Sequence, residues 1–212
     1  MSLPRQISST CAVCGKTSIR MILASSNTFG APDLDLRPSE MMRSTMSWWV
    51  QECPNCGYVS KSLEDRTRVD AAWLRREEYV GCDGLNLPSN LARRFYKFYR
   101  INLADGSHGA AFYAALHAAW VCDDEKDREN AVLCRKLALK EMDALRDQVW
   151  GNEDILVLRA DILRRAGLFQ ELLREYESMS WQEALHGKII AFQLRKARAG
   201  DDRCYRISDV ED

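Results

Sequence analysis

Cys11-Ala12-Val13-Cys14-Gly15-Lys16 and Cys53-Pro54-Asn55-Cys56-Gly57-Tyr58 decide how the rest of this sequence is read. Both open with Cys-x-x-Cys-Gly. A two-residue spacer lets two thiolates reach one ion from a single tight turn. The glycine that follows takes a positive φ at little cost and turns backbone N–H groups toward the sulfurs. Two such turns supply four sulfur donors, the closed tetrahedral set of a structural zinc site. The segment between Cys14 and Cys53 is 38 residues long. That exceeds the roughly 15–20 residues usual between paired knuckles, but closure entropy grows only with the logarithm of loop length. The pattern predicts one structural Zn2+ on Cys11, Cys14, Cys53 and Cys56. Iron is the less favoured ion, because Cys-Pro-x-Cys-Gly also suits a rubredoxin-type knuckle. Two separate redox motifs would want a helix beginning at the second cysteine, and Gly15 and Gly57 argue against that.

The other four of the eight cysteines, Cys82, Cys122, Cys134 and Cys204, are isolated. Cys122 and Cys134 fall within helical periodicity and read as buried packing residues. Residues 1–9 are polar and lack the apolar core of a secretion signal. The most apolar stretch, Gly109 to Cys122, contains His117 and is well short of the ~20 residues that span a bilayer. A cytoplasmic protein with no membrane partner is expected, in a compartment where disulfides are a poor explanation for eight cysteines.

The 212 residues are 46% hydrophobic and 29% charged, which excludes wholesale disorder and collagen-like structure. Thirty Lys+Arg against thirty-one Asp+Glu leave a net charge of −1, so no global field draws the chain to nucleic acid or anionic lipid. Residues 1–65 carry six cations and six anions, and four thiolates on zinc would add a charge of about −2. Phosphate binding needs a positive footprint, so a nucleic-acid partner is not expected for the ribbon.

Thr17–Ala24 reads as a strand leaving the first knuckle, with Ile19, Met21 and Leu23 alternating. Ser47–Glu52 reads as the strand feeding the second. Met21, Leu23, Phe29, Trp48, Trp49 and Val50 are the large apolar residues of this ribbon. Between the strands, Asp33-Leu34-Asp35-Leu36-Arg37-Pro38 reads as an edge strand with its leucines on one face and a solvated charged face of Asp33, Asp35 and Arg37. A sharper reading makes those three a small polar site beside the knuckles.

From Leu63 the pattern turns helical. Helices are expected over about 63–79, 90–103 with Ser89 or Asn90 as cap, 108–121, 127–149, 153–166, 169–179 and 181–199, joined by short turns and therefore packed as antiparallel neighbours. Residues 156–177 have the rhythm of a tetratricopeptide repeat, although Arg159 and Leu172 stand where a leucine and an alanine would be usual. The expected fold is mainly α with a small N-terminal β zinc ribbon, an α+β chain with an antiparallel, repeat-like helical stack. Its divisions are a metal-binding region at 1–65, a helical domain at 66–200 and a frayed acidic tail at 201–212. In the helix from Leu91, Arg93, Lys97 and Arg100 form one stripe, while Phe95, Phe98 and Tyr99 face the opposite way. The stripe reads as a solvated face, with a basic contact surface for phosphate or acidic peptide as the sharper reading. His108, His117 and His186 are isolated from nucleophiles in sequence, and no phosphate loop, dinucleotide fingerprint or zinc-protease motif is present.

Thr10–Lys16, Asp33–Pro38, Glu52–Tyr58 and Leu163-Arg-Arg-Ala-Gly167 together resemble one bacterial family that carries a domain of unknown function. In that family a two-knuckle cysteine ribbon precedes tetratricopeptide-like helices. The resemblance spans roughly residues 10–180. It implies the metal role for Cys11, Cys14, Cys53 and Cys56, and it implies no activity. Two functions follow as expectations. The first is a zinc-stabilised scaffold whose helices bind a protein or peptide. The second is an enzyme or redox protein with its site where ribbon meets helices.

Overall fold

The computed structural model describes residues 2–210. Strand β1 (Leu3–Thr10) pairs antiparallel with β2 (Thr17–Ser25), and the short β3 (Gln51–Glu52) pairs with β4 (Val59–Ser60). The first knuckle is the turn of one hairpin and the second knuckle the turn of the other. The helices follow: α1 (Glu77–Val80), α2 (Asn90–Ala104), α3 (His108–Asp124), α4 (Arg128–Ala144), α5 (Arg146–Val149), α6 (Glu153–Arg165), α7 (Phe169–Tyr176) and α8 (Ala184–Arg198). In space α2 packs on α3, α3 on α4, α4 on α6, and α6 on both α7 and α8. Links of a few residues make consecutive helices antiparallel.

Local chemistry explains most helix starts. The Ser89 side chain accepts from Ala92 N, Asp127 from Asn130 N, and Asn152 from Asp154 and Ile155 N. Each satisfies amides that a helix start leaves without partners. Ser107 precedes α3 without making such a bond. The core is continuous from the knuckles to the helices: Cys11, Cys53, Tyr58 and Tyr79 share one buried cluster with Phe95, Leu116, Ile162 and Leu163.

Several expectations are corrected. Residues 63–79 do not form a long helix. They make a 3-10 turn at Trp73–Arg75 and then the single-turn α1. The buried residues there are Leu63, Val69, Leu74 and Tyr79. Steps of five or six do not stay on one helix face, so the segment wraps the ribbon instead. Ser47–Glu52 is a strand only at its last two residues, because Arg43–Trp48 is 3-10 helix. Strand β1 went unread because its water-washed ribbon carries no apolar alternation. In β2, Ile19 and Met21 are exposed, so Met21 does not join the small ribbon core, while Ser18, Arg20, Ile22 and Leu23 are partly covered. Phe29 is exposed as well.

The frayed tail is corrected too. Beyond Gly200 the chain is a strap along the loop between the knuckles. Leu34 N donates to Tyr205 O, Ile207 N donates to Pro32 O, and Asp33 bridges to Arg206. The last two tail residues, Glu211 and Asp212, lie outside the described residues. Among the described residues no helix is long and apolar enough to cross a membrane.

Candidate metal centre

The two knuckles repeat one geometry. Cys11 N donates to Lys16 O at 3.0 Å and Gly15 N to Cys11 O at 2.9 Å; Cys53 N donates to Tyr58 O at 2.8 Å and Gly57 N to Cys53 O at 3.0 Å. Gly15 and Gly57 have φ of 68° and 75°, the left-handed region where a side chain would be strained. All four Sγ atoms lie within 4.8 Å of one another. Cys11 and Cys56 stand 3.6 Å apart, Cys14 and Cys53 3.7 Å. Metal–sulfur bonds of ~2.3 Å in a tetrahedron give sulfur–sulfur edges of about 3.8 Å. The four sulfurs are therefore spaced to hold a metal ion.

Their electrostatics fit that role. Burial opposes ionisation of Cys53, yet the N–H groups of Asn55 and Cys56 outweigh it and bring the thiol down to about 7. Burial dominates at Cys11 and Cys56 and pushes both up, with neighbouring thiols adding to the rise at Cys56. Four thiols in contact ionise together only when positive charge sits among them, which a divalent cation provides.

The helices and the linking segment grip both knuckles. Ala12 N donates to Leu63 O at 2.8 Å. Tyr79 Oη donates to Gly57 O at 2.6 Å, and Lys97 pairs with Glu52 at 2.9 Å beside the second knuckle. Tyr79→Phe leaves that carbonyl unpaired beside a buried ring. It should cost about 1–3 kcal/mol, measured as a lower urea midpoint at unchanged slope.

Asp33, Asp35 and Arg37 do not form a solvated edge. They occupy a turn in which Leu36, at φ 63°, is the exposed residue, and all three charged side chains are buried. Asp35 Oδ2 accepts from Trp120 Nε1 and from Arg165 Nη1, each at 2.7 Å. Arg37 forks onto Asp124 at 2.9 and 2.5 Å. Asp33 pairs with Arg43 at 2.6 Å and accepts from Cys204 Sγ at 3.2 Å. Asp123 then joins Arg135 and Arg165. Four arginines (37, 43, 135, 165) meet four aspartates (33, 35, 123, 124), so the cluster is neutral. It fastens the loop to the ends of α3 and α6. Burial works against the charge of Arg165, but Asp35 and Asp123 more than compensate and hold it above the usual arginine value.

Burial also opposes the charge of Asp123, and Arg135 and Arg165 outweigh it, holding the carboxyl below its usual value. A carboxylate depressed in the fold contributes stability above its unfolded pKa of about 4 and loses it as pH falls toward the folded value. Urea midpoints should drop below about pH 4, and Asp123→Asn should flatten that limb.

The fold uses each of Arg93, Lys97 and Arg100. Arg93 bonds Asn90 and Leu87 O, Lys97 pairs with Glu52, and Arg100 pairs with Asp83. The histidines also have structural partners. His108 meets Glu141 at 2.7 Å and His186 meets Glu153 and Asp154 at 3.0 Å. His117 sits among Trp49, Phe95, Tyr113 and Trp120, where burial lowers it to about 3. The arginines of α6 went unread. Arg159 reaches Asp143, Glu171 and Glu175, and Arg164 holds Asp161 and the strap carbonyls of Asp201 and Arg203. Their signal was a helix with apolar residues on every side and no face left for solvated charge.

The chain is thus a mainly helical protein in which two cysteine hairpins converge on a site able to hold one metal ion. It matches no protein-family model, no curated protein and no solved structure.

Proposed function

We propose that this is a zinc-stabilised interaction protein. One Zn2+ on Cys11, Cys14, Cys53 and Cys56 staples the two hairpins, and the helices behind them form a tetratricopeptide-like stack that receives a protein or peptide. The observation that carries the reading is the mutual approach of four sulfurs within 4.8 Å. Four protein donors close a tetrahedral ion and leave no position for water or substrate, which favours a structural over a catalytic metal. A scaffold role is further supported by α6, which is buried on nearly all sides, tied by an ion pair to the loop and by hydrogen bonds to carbonyls of the strap. Such a frame presents its outer helices in fixed positions. Iron on the same ligands is the alternative ion and would give a red protein.

The test uses the full chain as bait beside its Cys53→Ser variant. A protein that saturates the unaltered chain at a fixed ratio, and survives competition by bulk nucleic acid, supports the scaffold. Turnover of a small molecule with no saturable protein partner contradicts it.

A further inference from the structure

The β1–β2 hairpin turns a mixed face inward, in which Ile7 and Ile22 stand beside Ser9, Ser18 and Arg20. Of β1 only Ser9 is buried, and Ser18, Arg20 and Ile22 are the residues of β2 that face the protein while Ile19 and Met21 face water. A sheet face turned inward is ordinarily its apolar face. Here the inward face does not close on the body of the protein. It roofs a groove of about 370 Å3, within the size range of small-molecule sites. Trp48 and Trp49 form one wall, with Ile7, Ile22, Leu23 and Leu63 completing the apolar lining.

Two features of this groove lack a partner. Ser9, one of the residues lining the groove, is 3% exposed, and its Oγ is buried without a hydrogen-bond partner. A buried hydroxyl left alone is uncommon, because stripping it of water costs free energy that a partner ordinarily returns. The second feature is charge. Arg20 and Lys61 both line the groove. Among the described residues neither the half-buried Arg20 nor the exposed Lys61 lies within ion-pair distance of a carboxylate. Arg20 bonds only Ser18 Oγ, at 3.2 Å. Arg94 lies outside the groove, in the neighbouring depression that Arg20 shares with Glu52, which is itself paired with Lys97.

An aromatic wall, a lone buried hydroxyl and two uncompensated cations define a complementary ligand. We infer that this groove binds a small amphipathic organic anion, with an apolar or aromatic body against Trp48 and Trp49 and an oxyanion head on Arg20 and Lys61. A guanidinium fork takes a carboxylate or a phosphate monoester in the same bidentate way, and Ser9 Oγ supplies one more hydrogen bond. The groove lies outside the four-cysteine cluster, but its roof is one of the two hairpins that the metal staples, so the metal-loaded chain is the one to test.

The probes are 3-phenylpropionate, phenyl phosphate and neutral 3-phenylpropionamide, titrated into the full, metal-loaded chain while backbone amide NMR shifts are followed. At least one anion should saturate with Kd of roughly 0.1–1 mM, the range ordinary for ligands of this size. The shifts should centre on residues 7–9, 20–23, 48–51 and 61–63. The amide should bind about tenfold more weakly, a loss of one ion-paired contact. The stronger anion identifies the head group as carboxylate or phosphate. Arg20→Ala with Lys61→Ala should erase the preference for anion over amide and leave the rest of the spectrum unchanged. Ser9→Ala is a second, milder variant and should weaken both anions. Equal binding of acid and amide to the unaltered chain, no saturation by either anion up to about 10 mM, or shifts that map away from the groove would overturn the inference.

Discussion

Cys53→Ser should abolish metal binding and open both hairpins. Serine keeps the shape of the turn but offers a hydroxyl that does not ionise near neutral pH, leaving three thiolates. Structural zinc contributes about 10–16 kcal/mol in small knuckle peptides. Strand pairing alone does little for the hairpins, because β3 and β4 are two residues each and β1–β2 is a lone two-stranded ribbon with water on its outer face, so beyond the contacts of Leu63, Tyr79 and Lys97 the metal is what holds them. Such ribbons are at best marginal alone. Metal content should fall from one ion per chain to near zero, and trypsin should cut at Lys16 and Arg20 far faster than in the unaltered chain. The helices should keep their ellipticity. So should the attachment of residues 33–37, because Asp35 and Arg37 are held by Trp120, Asp124 and Arg165 and not by the knuckles. Stoichiometric metal in the variant would place the site elsewhere.

Asp35→Ala should be the most destabilising change outside the knuckles. Asp35 is 0% exposed and accepts from both Trp120 Nε1 and Arg165 Nη1. Without it, Arg165 and Arg135, also buried, share the single carboxylate of Asp123. Removing one partner of a buried pair typically costs 3–5 kcal/mol, about the cost of leaving a charge without its counter-ion. For a chain of this size that corresponds to a fall in Tm of roughly 6–20 °C. The cause is separable from simple loss of packing. Asp35→Leu with Arg165→Met removes both charges and fills the space, and apolar replacement of a buried pair is often neutral or better. The double variant should therefore melt above Asp35→Ala. A double variant that melts lower than either single change would show that the pair is not the source of the loss.

What the sequence disclosed and what it concealed divide by distance along the chain. The knuckles were legible because their chemistry is local: two donors and a glycine within five residues. The helix start at Ser89 was legible for the same reason, whereas Ser107, equally typical of a cap, makes no capping bond. The buried turn at Asp33–Arg37 was not legible. Its leucines and charges alternate as an edge strand would, and the partners that draw the charges inward lie 85 and 130 residues away, at Trp120 and Arg165. No local pattern shows that two buried charge sets will neutralise each other. The strap was hidden likewise, since an acidic, glycine-led tail looks solvated until Arg164 meets its carbonyls. The facing of β2 was hidden for a different reason. Alternation of Ile19, Met21 and Leu23 identified a strand but could not say which face a thin ribbon turns inward.

The most direct test of the whole account is X-ray absorption at the metal edge, measured on the full chain purified without added metal. The account predicts one zinc per chain with four sulfur neighbours at ~2.3 Å and no lighter donor. A first shell containing nitrogen or oxygen, or a chain that folds with no metal at all, would contradict it.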